Sequence, residues 1–468
     1  MSAVIHDIDP VGVRGNPSST VVRSVEFDSR RAGPGALFCC VPGRHTDGHR
    51  HAAEAVRAGA TSLLCEEFLD LDVTQVRVAP GTVRPAMALV ADAFFGHPSR
   101  DLTMIGVTGT NGKTTVTHMV RAILDRAGQP TGVIGTLDGT RTTPEAPVLQ
   151  RLLAGLRDEG RRAAAMEVSS HALMAHRVDA IVFDVAAFTN LSREHLDHHG
   201  TMEDYFAAKA LLFDEDRARR AVVFVDDPWG RRLAGGWSGE LAEVRRSDAS
   251  HLVLSLGSSS FEWRGRQVTV PLSGAFNVEN ALVAAAVATT LGVGPDQVVE
   301  GLATLAPVPG RMEVVRAAAP FSVLVDYAHT PAALELALAS ARALAGSSRV
   351  LCLFGCGGDR DQGKRPDMGA AAARGADVVV LTSDNPRSED PMAIIDAVRS
   401  GVAAPVELVV EPDRAAAIRA AVALARPGDV VLVAGKGHET SQVVGDQVLP
   451  FDDRDETARA VAERDGAR

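Results

Sequence analysis

The stretch from Ile105 to Thr115 reads IGVTGTNGKTT. Its apolar start, Gly-rich centre and Lys-Thr-Thr end predict a buried strand that breaks into a loop and opens a helix. Gly106, Gly109 and Gly112 permit backbone conformations that a side chain would forbid. The loop N–H groups and the dipole of a helix starting near Lys113 favour an anion. In such a cradle Lys113 reaches the outer phosphates and Thr114 ligates Mg2+. Gly109, Thr110, Asn111, Gly112, Lys113, Thr114 and Thr115 are therefore the candidate contacts to ATP or GTP. The loop departs from the usual G-x-x-x-x-G-K-[ST] spacing, because Val107 stands where the first Gly would be.

A length of 468 residues predicts about three domains. Hydrophobic residues make up 46% of the chain, which suits globular cores. The opening MSAVIHDIDP lacks the basic and apolar regions of a secretory signal, and no uncharged apolar run reaches membrane-spanning length. A cytoplasmic protein without a membrane partner is expected. Five cysteines (Cys39, Cys40, Cys65, Cys352, Cys356) show no paired metal-ligand spacing and read as reduced packing residues, so no zinc site is expected. A net charge of −11 argues against a nucleic-acid surface. Of 48 basic residues only four are Lys: Lys113, Lys209, Lys364 and Lys436. A chain that uses Arg for generic charge keeps Lys where a compact or reactive amine is needed. Asn111, Asn190, Asn277, Asn280 and Asn385 likewise fall in motif-like segments, as do the two tyrosines, Tyr205 and Tyr327.

Residues 1–102 alternate short apolar runs with helical stretches and predict a small α/β domain. Its DSR (Asp28–Arg30) and PGRHTDGH (Pro42–His49) clusters read equally well as ligand loops or as ordinary turns. From 103 to 309, strands MIGVTG, TGVIGT, AAAMEVSS and DAIVFDVAAFTN alternate with helices, which predicts a doubly wound parallel sheet. His195, His198, His199 and Lys209 gather near a helix start, and a β-rich part and an Ala-rich helix follow. From 310 to 468 the units FSVLVDYAHT, RVLCLFGCGGDRD, DVVVLTSDNPR, VELVVEPDR and GDVVLVAGKGHE repeat strand and helix in a Rossmann-like manner. Their polar ends should share one rim at the carboxyl ends of the strands. The residues after about Ala460 are expected to fray.

Taken together, GVTGTNGKTT, MEVSSHAL, FTNLSREHLDHHG, YFAAK, FNVENA, GRME, VDYAHTP, GCGGDRDQGKRP, DNPR and GKGHE resemble the Mur ligases, in the form that adds diaminopimelate. The likeness runs in order through most of the chain. It implies an α/β fold of three domains: a UDP-sugar-binding domain (1–102), a central P-loop doubly wound ATPase domain (103–309) and a Rossmann-like amino-acid-binding domain (310–468). It also implies an ATP-dependent amide ligase that joins diaminopimelate to the D-Glu of UDP-MurNAc-L-Ala-D-Glu through an acyl phosphate, and we expect a monomer.

The same resemblance implies roles for single residues. Lys113 would serve the transferring phosphoryl group, and Thr114, Glu167, His195 and Lys209 would hold Mg2+, with Lys209 carbamylated. Only a deprotonatable amine accepts that change, so Arg cannot stand in. Asn277, Arg311, Asp326 and His329 would meet the adenosine part of ATP. Ser29, Thr142, Thr143, Ser170 and Arg177 would contact the UDP-substrate. Arg360, Asp384, Asn385, Arg387, Gly435 and Glu439 would form the diaminopimelate pocket, where Arg387 offers a bidentate fork to the second carboxylate. Two rival readings are a folylpolyglutamate synthase-like ligase, which would not be expected to carry DNPR, and a nucleotide-binding scaffold, which would have lost one of Lys113, Glu167, His195 or Lys209.

Overall fold

A computed structural model describes residues 1–43, 46–137, 141–315, 319–403 and 405–466; Arg44 and His45 of the PGRHTDGH cluster lie outside them. The chain forms three α/β bodies, each built on its own sheet. Among the described residues, no helix is long and apolar enough to cross a membrane.

The N-terminal sheet has the order Gly12–Arg14, Thr74–Arg77, Ser62–Cys65, Ala36–Cys39, Ser24–Glu26. Its first strand is antiparallel and the rest are parallel. The apolar faces are covered by the helix Val83–Phe94 on one side and by Ala52–Arg57 on the other. The stretch HRHAAEAVRAGA forms a 3-10 turn (Gly48–His51) running into the short helix Ala52–Arg57. Asp47 caps the turn through its side chain and so starts the helix late.

The central sheet is parallel throughout, in the order Glu240–Val244, Arg220–Phe224, Val185–Phe188, Thr103–Thr108, Ala163–Glu167, Thr131–Ile134. From the strand Thr103–Thr108 the chain winds first to one side and then, with Val185–Phe188, to the other. That reversal opens a crevice beyond the carboxyl ends of these two strands, where open sheets bind ligands. Both faces are packed, with the helices Lys113–Arg126 and Ala275–Thr290 on one and Ala146–Asp158 and Met202–Ala210 on the other. Gly106 is required by packing and not by its own dihedrals, which differs from the expectation of a freed backbone. A Cβ there would lie 2.9 Å from the Phe183 ring. A three-stranded antiparallel sheet (Ser250–Ser255, Ser258–Trp263, Arg266–Val270) follows.

The C-terminal sheet runs Glu313–Val314, Ser322–Asp326, Val430–Ala434, Val350–Phe354, Val378–Leu381, Glu407–Val410, parallel except for the first. The strands ending in DYAHTP, GKGHE, GCGGDRD and SDNPR are thus four adjacent parallel neighbours, and their loops do share a rim. Among the described residues the fraying expected after about Ala460 is not found as far as Gly466. The helix Asp453–Gly466 continues through it, and Ala460 and Val461 are buried in the core because they face the helix Arg414–Leu424.

Arg414 ties this last helix down. Fully buried, it makes a bidentate pair with the equally buried Asp453 (Nε to Oδ1 2.7 Å, Nη2 to Oδ2 2.7 Å) and donates to the carbonyls of Ser383 and Ala434. Those carbonyls immediately precede the DNPR and GKGHE loops. Arg414→Ala leaves a buried carboxylate unpaired and is expected to destabilise the C-terminal domain by about 3–5 kcal/mol, read as a lower urea midpoint for that domain's transition.

Candidate active site

The phosphate loop leaves Thr108 and enters the helix Lys113–Arg126 through Gly109 (φ 146°) and Gly112 (φ 89°). A Cβ on Gly109 would stand 1.9 Å from Thr189 Oγ1, and one on Gly112 would stand 2.3 Å from Asn280 Oδ1. The segment after strand Val185–Phe188 holds the loop from behind. Thr189 Oγ1 donates to Asn111 O (2.6 Å), Thr110 N donates to Asn190 O (2.8 Å) and Asn111 N to Asn190 Oδ1 (3.0 Å). Two loop amides expected to face phosphate are thereby occupied within the protein. The anion site narrows to the helix start, whose first N–H groups have no intrahelical acceptor. Gly109→Ala combines a Gly-only dihedral with the clash on Thr189; at about 1–3 kcal/mol of strain it should weaken ATP binding by about 10- to 100-fold and leave the UDP-substrate affinity unchanged, as calorimetric titration of each ligand would show.

Two lysine amines meet over this loop. Lys113 Nζ donates to Gly109 O and Thr110 O (both 2.8 Å), and Lys209 Nζ donates to the same Gly109 O (2.9 Å). Lys209 is 2% exposed and lies over the Tyr205 ring at 4.6 Å. Burial, and then the charge of Lys113, push the Lys209 amine well below its ordinary pKa; Lys113 is also lowered, chiefly by burial. Thr110 Oγ1 lies 3.3 Å from Tyr205 OH, and Thr115 is buried in the first helical turn.

Glu167 ends the neighbouring strand with its carboxylate buried. It accepts from Thr114 Oγ1 (3.0 Å), Thr136 N (2.8 Å) and Thr136 Oγ1 (3.3 Å), and it has no cationic side-chain partner among these contacts. Gly135 leaves the space beside it open, since a Cβ would sit 2.3 Å from Glu167 Oε1. A buried carboxylate and a hydroxyl facing a phosphate loop fit a hard divalent cation. His195 occupies the left-handed region (φ 56°), a costly choice for a residue with a side chain. Desolvation lowers its pKa to about 3 against the opposing charge of Glu194, with His171, Lys113 and Lys209 acting in the same direction as desolvation.

Arg311 crosses from the C-terminal domain, donating from Nη2 to Thr114 Oγ1 (3.0 Å) while its guanidinium covers the Tyr327 ring at 4.6 Å. Asp326 accepts from Met312 N (2.7 Å) and Ala328 N (2.8 Å), and burial raises its pKa. His329 binds Tyr327 O through Nδ1 and reaches Glu194 through Nε2 at 3.1 Å. Burial opposes ionisation of Glu194, but His329, His195 and Lys364 outweigh it and hold the carboxyl well below its usual range.

On the C-terminal rim, Asn385 Nδ2 donates to Glu439 Oε2 (2.9 Å), and the fully buried Lys436 donates to Asn385 Oδ1 (3.2 Å) and Glu439 Oε2 (3.1 Å), with Asp384 Oδ1 at 3.8 Å. Gly435 (φ 111°) brings its backbone within reach of Asp384, whose Oδ2 would lie 3.0 Å from a Cβ there. Arg387 is another left-handed residue (φ 52°), and its Nη1 donates to Gly358 O (2.7 Å). Gly357 lies beneath both rim arginines, 2.9 Å from Arg387 Nη1 and 3.8 Å from Arg360 Cγ when measured from a Cβ position. Arg360 itself is exposed.

The chain matches three family descriptions in succession: "Mur ligase family, catalytic domain" over residues 21–109, "Mur ligase middle domain" over 107–288 and "Mur ligase, glutamate ligase domain" over 310–437. It is 44% identical to the UDP-N-acetylmuramoyl-L-alanyl-D-glutamate--2,6-diaminopimelate ligase of Geobacillus kaustophilus, with 96% of each chain covered. The chain belongs to the Mur ligase family. The Streptomyces coelicolor protein of the same name is 42% identical, over 98% of this chain and 96% of the relative. A solved structure of a UDP-N-acetylmuramoyl-L-alanyl-D-glutamate--2,6-diaminopimelate ligase superposes with a TM-score of 0.67 at 31% identity, covering 98% of both chains.

In this Mur ligase the expected UDP-substrate residues divide in two. Thr143 Oγ1 donates to Glu167 O (2.9 Å), Arg177 Nη1 donates to Thr143 O (2.9 Å), and Thr142 Oγ1 lies 3.1 Å from Thr136 Oγ1, so these join Glu167. Ser170 Oγ lies 2.9 Å from His199 Nε2. Ser29 stands apart in the N-terminal domain, donating to Glu54 Oε2 at 2.9 Å.

Asn277 is fully buried; its amide donates to Ser273 O just before the helix (2.8 Å) and accepts from Asn280 Nδ2 one turn on (3.1 Å). The cavity behind the phosphate loop is lined instead by Asn280, Phe276, Glu279 and Leu336 together with Asn111 and Gly112. One face of the helix Ala275–Thr290 meets this cavity, and Asn280 is on it, whereas the expected nucleotide contact Asn277 is turned into the protein. Three other residues were not assigned to the site. Glu145 is ringed by Arg177 (2.7 Å), Arg141 (2.7 Å) and Arg84 (3.4 Å), which leaves a net positive cluster where the first two domains meet. Glu194 joins His329 across the second and third domains. Lys436 carried the one usable signal, the scarcity of lysine.

Proposed function

We propose that this Mur ligase joins diaminopimelate to the D-Glu side chain of UDP-MurNAc-L-Ala-D-Glu, with ATP converted to ADP and phosphate, in the making of a peptidoglycan precursor. The single observation that carries the substrate choice is the pairing of the Arg387 guanidinium with the Asn385–Glu439–Lys436 group on one rim. A guanidinium meets the distal carboxylate that distinguishes diaminopimelate from lysine, and Glu439 suits an ammonium group. The names of relatives at 42–44% identity over almost the whole chain support the same reading.

A carboxylate is a poor electrophile and needs activation. Its oxygen attacks the γ-phosphorus of ATP and ADP leaves; the amine of diaminopimelate then attacks the acyl carbon, loses a proton and expels phosphate. Lys113 and the amides at the helix start offset the charge that spreads over the transferring phosphoryl group. Thr114, Glu167, His195 and Lys209 would hold Mg2+, which when bound supplies further positive charge to the phosphate oxygens. Lys209 fits carbamylation, because burial and Lys113 favour its uncharged form, which adds CO2 to give a carbamate and releases one proton. The bridges from Arg311 to Thr114 and from His329 to Glu194 draw the second and third domains together, which protects an acyl phosphate from water. In this reading the division of labour follows residues 1–102, 103–309 and 310–468.

The test is phosphate release from ATP with UDP-MurNAc-L-Ala-D-Glu and a panel of amino acids. Release that depends on diaminopimelate is expected; equal release with L-lysine would overturn the substrate assignment.

A further inference from the structure

We propose that His171, His198 and His199 form a separate site for a transition-metal ion of the Zn2+ or Co2+ kind, beside the Mg2+ position and selective against Mg2+. His171 lies on the short helix Ser170–Met174, and His198 and His199 lie on the short helix Leu196–His199. Each offers one ring nitrogen, and these three atoms all lie within 4.8 Å of one another. The ring centroids are 4.1 Å apart for His171 and His198, 4.8 Å for His198 and His199, and 5.4 Å for His171 and His199.

Nitrogens on a tetrahedral Zn2+ at 2.0–2.1 Å stand about 3.4 Å from each other. The trio must therefore contract by a little over an ångström, and His198, which is exposed, is free to rotate and supply that movement. Imidazole nitrogen suits Zn2+, Co2+, Ni2+ and Cu2+, whereas Mg2+ prefers a set dominated by oxygen, such as Thr114, Glu167 and a carbamylated Lys209 beside the single imidazole of His195. The trio therefore differs in kind from the Glu167–Thr114 oxygen pair.

His199 is already supported from outside the trio. Its Nε2 lies 2.9 Å from Ser170 Oγ, and its ring stacks on Tyr205 at 5.0 Å. With Nε2 donating to Ser170, Nδ1 is left to ligate, which is the way metal-bound histidines are commonly oriented. Three protein ligands leave a fourth position for water or a substrate oxygen. An ion here would engage the hydroxyl partner of Ser170 and add two positive charges beside it. The consequence for turnover rests on the proposed contact of Ser170 with the UDP-substrate; metal binding itself does not.

The experiment uses the full chain with saturating Mg2+ and ADP, titrated with Co2+ and Zn2+. One equivalent of Co2+ should give the intense visible absorption of a low-coordinate, nitrogen-ligated ion, displaced by Zn2+ and not by excess Mg2+. His198→Ala, at an exposed position, should weaken Zn2+ binding by more than the 10- to 100-fold that loss of an outer partner costs. His198→Cys should retain it, because a thiolate replaces the imidazole. Equal affinity and spectrum in wild type and His198→Ala, or displacement of Co2+ by Mg2+, would overturn the site. In turnover, Zn2+ should raise the KM for the UDP-substrate in wild type and not in His198→Ala. Zn2+ held at the trio with that KM unchanged would support the metal site and overturn the placement of Ser170.

Discussion

Lys209→Arg is expected to lower turnover by about 10³-fold or more, the scale seen when a preorganised charge at a transition state is lost, while the protein remains folded. The wild-type amine is enclosed, shares the Gly109 carbonyl with Lys113 and is held well below its ordinary pKa by burial and by that neighbour. Burial and the Lys113 charge thus favour the uncharged, nucleophilic form that addition of CO2 requires. An arginine would keep a permanent positive charge against Lys113 and could not become an oxygen ligand. Steady-state phosphate release measures the loss, and a carbamate carbonyl resonance in protein prepared with ¹³C-bicarbonate, present in wild type and absent from the variant, identifies its cause. Full activity in Lys209→Arg would refute both.

Arg387 should govern the amino-acid substrate and little else. Each hydrogen bond between charged groups contributes about 1.5–3 kcal/mol, so losing a bidentate pair in Arg387→Ala should raise the KM for diaminopimelate by about 100-fold or more. The KM for ATP should stay unchanged, because the residue sits on the C-terminal rim and not on the phosphate loop. Arg387→Lys should be impaired nearly as much, since it keeps the charge and loses the planar fork. The left-handed backbone at this position serves the same end. Arg387 N donates to Val443 O and Gly445 N to Arg387 O, so the loop is pinned to the hairpin Ser441–Pro450. An unchanged amino-acid profile in both variants would remove Arg387 from the pocket.

The parts legible in the sequence were those that local chemistry dictates. The phosphate loop could be read from eleven consecutive residues, because a strand, three glycines and Lys-Thr specify an anion site without help from distant segments. The rim of the C-terminal sheet could be read because parallel strands place their following loops on one edge. The scarcity of lysine pointed to Lys113, Lys209 and Lys436, and each is buried or sits against the loops it serves.

Other features depend on distances that no local pattern encodes. Asn277 and Asn280 are three residues apart on one helix, so composition could not tell which faces the cavity; the rotation of the helix against the phosphate loop decides it. Glu145 looks like an ordinary helix-entry acid beside its neighbour Arg141 until Arg84 and Arg177 arrive from two distant segments. Glu194 gains its low pKa only when His329 and Lys364 approach from another domain. Ala460 and Val461 were misjudged because burial at a chain end depends on an anchor, here the Arg414–Asp453 pair, that lies 39 residues apart in sequence. The sequence by itself determined the strand order's raw material, the phosphate cradle and the set of reactive residues, since these follow from backbone freedom and side-chain chemistry over a few neighbours. The tertiary structure decided which of those residues share a solvent-poor space, because desolvation and charge coupling arise only when separate segments are packed together.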